Sequence, residues 1–198
     1  MSLAFMSPDG VDAVARSPME RLAEKAGARF ELRDGWNVAV EYAGGPGAGS
    51  VAWADVSHLR KWGVDGPGVG GQLGTARREG EAWWCGLAAN RALVLGGSAP
   101  DGALDLTCNY AALTIHGAQA RETIARFCAL DLRPHVAPPG SFRPGSIARQ
   151  PGMILVEDTD RFLLLFGWAV GEYMWTVVAD AALSLDGGPV GWGAPKND

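Results

Sequence analysis

The sequence predicts an α+β fold made of two related strand-helix-hairpin halves, about residues 50–98 and 103–185, and three observations carry that prediction. Residues 110–115 are mostly apolar or β-branched, as a half-buried strand requires, and after Gly117 the stretch 118–130 puts Ala120, Ile124, Phe127 and Cys128 on one helical face with Arg121, Glu122 and Arg126 largely off it. The head of this stretch is written twice. Asp105-Leu106-Thr107 matches Asp55-Val56-Ser57, and Ile115-His116-Gly117-Ala118 matches Val64-Asp65-Gly66-Pro67 after one extra residue. The Asp-headed motifs lie 50 positions apart, within the range where internal repeats occur. Each motif is followed by the same second piece: residues 83–97 and 153–167 both read as an apolar run, a polar turn and another apolar run, which is a β-hairpin. Asn90-Arg91-Ala92-Leu93 in the first lies beside Asp160-Arg161-Phe162-Leu163 in the second.

In chain order, residues 1–16 read as a flexible tail, and residues 17–186 as one domain. Ser17 serves as N-cap and Pro18 as first helical residue of a helix whose stripe is Met19, Leu22, Ala23 and Ala26, ended by Gly27. Residues 30–42 read as strand with a turn at Asp34-Gly35. Residues 44–50, Gly-Gly-Pro-Gly-Ala-Gly-Ser, form a flexible connection. Residues 66–80 are glycine-rich and occupy the place where the second half has its helix. Gly66-x-Gly68-x-x-Gly71 formally spells a dinucleotide fingerprint, but Pro67 sits in the turn, poor helix formers follow, and no acidic residue closes a second strand; a plain loop is the expectation. The prolines of 134–152 predict an extended connection. Residues 168–185 read as a helix burying Val170, Tyr173, Met174, Val177 and Val178, and 187–198 as a mobile tail.

Composition narrows the function classes. With 198 residues, 47% of them hydrophobic, the chain can bury a core as one compact domain. A formal net charge of −5 with no basic run argues against nucleic acid as a partner. The three cysteines sit in apolar contexts without a Cys-x-x-Cys, which suits a reduced cytoplasmic protein and predicts neither a disulfide framework nor a zinc site. The start lacks a basic n-region and a long apolar core, so no signal peptide is expected, and no uncharged apolar run nears the length of a membrane span.

Few side chains stand out as chemistry. Ser57 and His58 are neighbours that would point to opposite faces of a strand, so they cannot form a nucleophile–base pair there. Asp55 and Asp105 read as caps of strand ends or turns. Glu157, Asp158 and Asp160 read as a solvated acidic turn with no facing carboxylate.

The motifs do resemble a known family. Asp55-Val56-Ser57-His58-Leu59 followed by Val64-Asp65-Gly66-Pro67 resembles the Asp-Leu/Val-Ser-His-Met…Val-x-Gly-Pro segment of the glycine cleavage T protein (aminomethyltransferase). Asp105-Leu106-Thr107 with Tyr110-Ala111-Ala112-Leu113 and Gly117-Ala118-Gln119-Ala120 resembles that family's second segment. Cys128 to Pro134, Pro138-Pro139-Gly140, Ala148-Arg149, Arg161-Phe162-x-Leu164 and Glu172-Tyr173-Met174-Trp175 resemble the gamma subunit of heterotetrameric sarcosine oxidase, a short relative of the same fold.

The resemblance implies the aminomethyltransferase folate-binding domain, with two similar halves around a central opening that holds tetrahydrofolate in the catalytic members. It makes Asp55, His58, Leu59, Asn90, Tyr110 and Arg149 the candidate pocket residues, and tetrahydrofolate the candidate cofactor. No Leu-Asp-Asp segment, which carries the family's aspartate near the reacting amine, occurs in residues 69–83, and Leu59 stands where the family has the methionine that approaches folate. These departures imply an accessory subunit of the sarcosine oxidase gamma type, not catalytic alone, packed against a flavin-containing oxidase subunit. The alternative is a tetrahydrofolate-binding aminomethyltransferase-like protein that moves a one-carbon unit from an aminomethyl donor. A self-associating module without a ligand is a third reading.

Overall fold

A computed structural model describes residues 13–43 and 51–193. The elements in order are β1 (Ala15–Arg16), α1 (Glu20–Lys25), β2 (Ala28–Arg33), β3 (Trp36–Tyr42), β4 (Ala52–Asp55), β5 (Lys61–Asp65), β6 (Ala76–Glu79), β7 (Ala82–Ala88), β8 (Arg91–Leu95), β9 (Leu104–Asp105), β10 (Tyr110–His116), α2 (Ala120–Ala125), β11 (Phe142–Ile147), β12 (Gln150–Asp158), β13 (Arg161–Gly167), α3 (Gly171–Leu183) and β14 (Gly188–Pro189). The fold is α+β: a small sheet ordered β1-β3-β2, a five-stranded sheet β6-β7-β8-β5-β9 and a six-stranded sheet β11-β12-β13-β10-β4-β14.

The two larger sheets are built alike, but each borrows a strand. β5 pairs antiparallel with β8 and with β9, whereas β10 pairs antiparallel with β13 and with β4. The strand that opens one motif therefore completes the sheet of the other. Both hairpins carry a register shift at corresponding places, between Gly86 and Ala88 and between Val156 and Asp158, just before turns at residues 89–90 and 159–160. The turn carbonyls then bind matching glycines: Gly66 N–H donates to Asn90 O at 2.9 Å, and Gly117 N–H to Asp160 O at 3.0 Å.

Three apolar layers follow from strand alternation. Between the two large sheets lie Ala54, Val56, Cys85, Leu93, Leu95, Ala112, Leu155 and Leu165. On the other side of the six-stranded sheet, Leu113, Ile115, Ile154, Leu164 and Phe166 pack under Ile124 of α2, Met174 and Val178 of α3 and Met19 just before α1. Among the described residues no helix covers the outer face of the five-stranded sheet. It carries a small cluster of Val64, Ala82 and Val94 with half-buried Trp62, Trp84 and Val69. The glycine-rich loop lies against this sheet: a Cβ on Gly70 would stand 1.6 Å from Ala88 O, and one on Gly86 2.2 Å from Gly70 O.

Several expectations need correction. The N-terminal tail does not extend through residue 16, because Ala15–Arg16 pairs parallel with β3 and Ala15 N–H donates to Gly35 O at 2.8 Å. The C-terminal tail is docked through residue 192: Gly188–Pro189 pairs with β4, and Val190 and Trp192 donate to Trp53 O and Ala39 O at 2.8 Å each. Backbone partners, which composition does not reveal, hold both segments. The residues 66–80 end as strand β6, and the proline-rich 134–152 contains β11, with Pro144 tolerated on an edge strand. α2 stops at Ala125, five residues short of the expected end. Ser17 caps the turn before α1, its Oγ accepting from Met19 N–H at 3.1 Å, and Met19 takes the N-cap position. The hairpin turn at Asp34-Gly35 forms with φ of 49° and 80°, the left-handed pair that a two-residue turn needs. The connection 44–50 and the tail segments 1–12 and 194–198 lie outside the described residues. Among the described residues no helix is long and apolar enough to cross a membrane.

Candidate functional site

The two Asp-headed motifs are turns, and the same bonds build both. Asp55 Oδ1 accepts from Ser57 N–H at 2.9 Å, and Asp105 Oδ1 from Thr107 N–H at 2.8 Å, each bending the chain as it leaves a strand. Leu59 N–H donates to Val56 O, and Asn109 N–H to Leu106 O, both at 2.9 Å. Each turn then stitches itself to the strand that follows the other. Val56 N–H donates to Ala112 O at 2.9 Å while Ala112 N–H donates to Ser57 Oγ at 3.2 Å; Leu106 N–H donates to Lys61 O at 2.8 Å while Lys61 N–H donates to Thr107 Oγ1 at 3.2 Å. A hydroxyl at the third motif position thus satisfies a buried N–H of the partner strand, which is the physical reason for Ser or Thr there.

Where the turns meet, one charge is enclosed. Lys61, at the start of β5, is 0% exposed, and its Nζ donates to Ser57 O at 2.9 Å, Leu59 O at 2.8 Å and, at the 3.5 Å limit, Thr107 O. Burial pulls its ammonium down to about 8, opposed by the charges of Asp55, Cys108 and Asp105. Burial also pushes Asp55 up, against hydrogen bonds from Ser17 and Ser57 and the charge of Lys61. Part of the Asp55 surface reaches solvent, yet the carboxyl lies deep in the packed protein. Asp105 behaves oppositely: hydrogen bonds from Thr107 lower it, and Arg60 stands 3.8 Å away at the surface. Burial brings His58 down to about 4, with Lys61 and Arg33 adding to the effect and Asp34 opposing it; its ring meets Trp192 edge-on at 5.2 Å. The imidazole is therefore neutral at pH 7.

Of the candidate pocket residues, Asp55, His58 and Leu59 share the first turn. Leu59 and Tyr110 pack against the same inter-sheet core. Tyr110 also lines a cleft of about 350 Å³ with Gln150, Pro151, Gly152, Met153, Gly167 and Val170. Arg149 is exposed in the tight β11–β12 turn, beside Gln150, with φ of 64°. Asn90 is not brought to this group. It sits in the β7–β8 turn at the Asp65 end of β5, roughly 13 Å along the strand from Lys61. Among the described residues no three His, Cys, Asp or Glu side chains converge as metal ligands.

Lys61 is the residue that sequence reasoning missed. In Lys61-Trp62-Gly63-Val64-Asp65 the alternation offers Trp62 and Val64 as the inward face, and a lysine rarely goes inside unpaired. The available signal was the neighbouring motif, whose free turn carbonyls need a donor.

No family model and no curated protein matches the sequence. Solved structures do. A chain of the heterotetrameric sarcosine oxidase from Corynebacterium sp. U-96, in complex with pyrrole 2-carboxylate, superposes with a TM-score of 0.67 at 16% identity, covering 87% of this chain and 96% of that one. The glycine cleavage system aminomethyltransferase T from Bartonella henselae gives a TM-score of 0.69 at 16% identity, covering 90% of this chain and 60% of that one. The chain has the aminomethyltransferase fold. At this identity the likeness is one of fold, and the chain spans about three-fifths of the aminomethyltransferase's length. Within the aminomethyltransferase fold, the paired Asp turns and Lys61 form the joint between its two large sheets.

Proposed function

We propose that the protein is an accessory subunit of the sarcosine oxidase gamma type, serving folate-linked one-carbon metabolism without catalysing alone. One observation carries this reading: the match spans 96% of a chain in a heterotetrameric sarcosine oxidase but only 60% of the aminomethyltransferase. The joint chemistry supports it. The Lys61 ammonium is engaged by backbone carbonyls, Asp55 holds its own turn, and His58 is neutral and shielded by Trp192, so these groups serve positioning rather than proton transfer. The partner would be a flavin-containing oxidase subunit. Affinity purification of the chromosomally tagged protein tests this: a yellow, flavin-bearing complex is expected, and a protein recovered always alone overturns the reading.

A second reading has its own support. Leu59, in the same turn as Asp55 and His58, packs against the inter-sheet core that Tyr110 also touches, which supports a tetrahydrofolate-binding protein that transfers a one-carbon unit. Calorimetric titration with tetrahydrofolate separates the two: saturable heat supports folate binding, and its absence at high micromolar ligand removes it.

A further inference from the structure

The small sheet has an edge at β2, which pairs with β3 on one side. Arg33 and Trp36 flank the two-residue turn at Asp34-Gly35 and face each other in the ladder. Such a flanking pair is hydrogen-bonded, and bonding then alternates along the strand. Arg33 and Glu31 therefore turn their N–H and C=O toward β3, and Leu32 and Phe30 turn theirs outward. Among the described residues, no backbone bond outside the β2–β3 ladder reaches Phe30 or Leu32. The side chains alternate too. Arg29, Glu31 and Arg33 are exposed on one face, while on the other Phe30 packs against the helix-side core and Leu32 is 65% exposed.

Charges on an edge strand usually repel a neighbour. This set repels in one register and attracts in another. Two copies of β2 paired antiparallel about Glu31 set Glu31 against Glu31 and Arg29 against Arg33, which is unfavourable. Pairing about Leu32 runs at once into the turn at Asp34-Gly35. Pairing about Phe30 sets each Arg29 against the Glu31 of the other copy, twice by symmetry. It also brings the outward backbone groups of the two Phe30 residues together and lays exposed Leu32 opposite Ala28. Within one strand the Glu31 carboxylate already accepts from Arg29 at 2.8 Å and from Arg33 at 3.0 Å. Exposed pairs of this kind contribute little, so exchanging them for pairs across the two-fold costs little. We propose that a second copy of this chain pairs with β2 antiparallel about Phe30, joining two three-stranded sheets into one. The inference depends neither on an oxidase partner nor on folate.

The test uses the full chain. One strand pair is a small interface, so sedimentation equilibrium is run up to about 1 mM protein, where a monomer–dimer equilibrium is expected. Arg29→Glu and Glu31→Arg each set like charges opposite one another and are expected to weaken the dimer by about tenfold. Both positions are exposed, so the variants keep the fold. An equimolar mixture of the two variants restores opposite charges at both pairs and is expected to form a heterodimer with the parent's affinity. Amide hydrogen exchange at Phe30 and Leu32 should slow as concentration rises, while Glu31, whose N–H faces β3, stays constant. A monomer at about 1 mM, single variants that associate as the parent does, or a mixture that stays monomeric overturns the proposal. So does exchange at Phe30 and Leu32 that ignores concentration; full protection in the dilute protein would show that another segment of this chain holds the edge.

Discussion

The turn at Asp55 and the turn at Asp105 use the same bonds in opposite surroundings. In the first, the carboxyl is enclosed, a histidine follows it against Trp192, and Lys61 fills the space behind. In the second, Asp105 faces Arg60 at the surface, and Cys108, at the position corresponding to His58, is exposed. The sheets differ in the same sense. The six-stranded sheet buries Leu113, Ile154 and Leu164 completely under helices, while the corresponding face of the five-stranded sheet carries half-buried Trp62 and Trp84 and a glycine-rich loop. Identical backbone bonding thus fixes the scaffold, and the side chains placed around it make one half interior and the other superficial.

The sharpest way to break this comparison is at the loop that stands in for a helix. Gly70→Ala puts a methyl group 1.6 Å from Ala88 O and 2.7 Å from Arg91 O, both backbone, so the loop must lift from the sheet. We expect a loss of about 4 kcal/mol in urea denaturation, near the top of what single substitutions cause. Gly167→Ala, which meets nothing, should stay within about 0.5 kcal/mol of the parent protein. A small effect at Gly70 would show that the loop does not lie on the five-stranded sheet.

Next in size is the joint. Lys61→Met keeps the stem but removes the donor from Ser57 O and Leu59 O, and its counterpart beside the other turn, Ala112, shows that the position can be apolar. Leaving buried carbonyls without a donor predicts a loss of about 3 kcal/mol at pH 7, measured by urea denaturation. A loss below about 1 kcal/mol would mean that water replaces the ammonium freely and that the centre is not closed.

Much of this architecture was legible because it is local. Asp34-Gly35, the two hairpin turns and the Asp-headed motifs combine turn chemistry with alternation, which operates over a few residues. The exchange of β4 and β9 between sheets was not legible, because β4 pairs with residues about 60 positions later and nothing in its four residues names that partner. The docked ends at Ala15–Arg16 and Gly188–Pro189 were missed for the same reason: two paired residues leave no periodicity. At the candidate site, motif resemblance singled out Asp55, His58, Leu59 and Tyr110 as expectations, whereas the burial of Lys61 depends on which face of β5 turns inward, a tertiary outcome.

The smallest effect expected distinguishes the two turns by pH. His58 has a folded value of about 4 against an ordinary 6.5, so the folded protein favours the neutral ring. A base whose folded value is depressed contributes stability above pH 6.5, and that contribution is lost as pH falls from 6.5 toward 4. Asp55 acts the other way, since a raised carboxyl favours the folded state as it takes up its proton in acid, and Asp105, lowered by Thr107, loses its contribution there. Comparing the parent with His58→Gln removes these shared contributions. The parent should lose on the order of 2 kcal/mol relative to the variant between pH 7 and pH 4, read from urea midpoints at both. The corresponding change in the other turn, Cys108→Ser, should leave the profile between those pH values unchanged, because Cys108 is exposed and its replacement empties no buried space. Parallel profiles for the parent and His58→Gln would place the imidazole in solvent and erase the distinction between an interior and a surface turn.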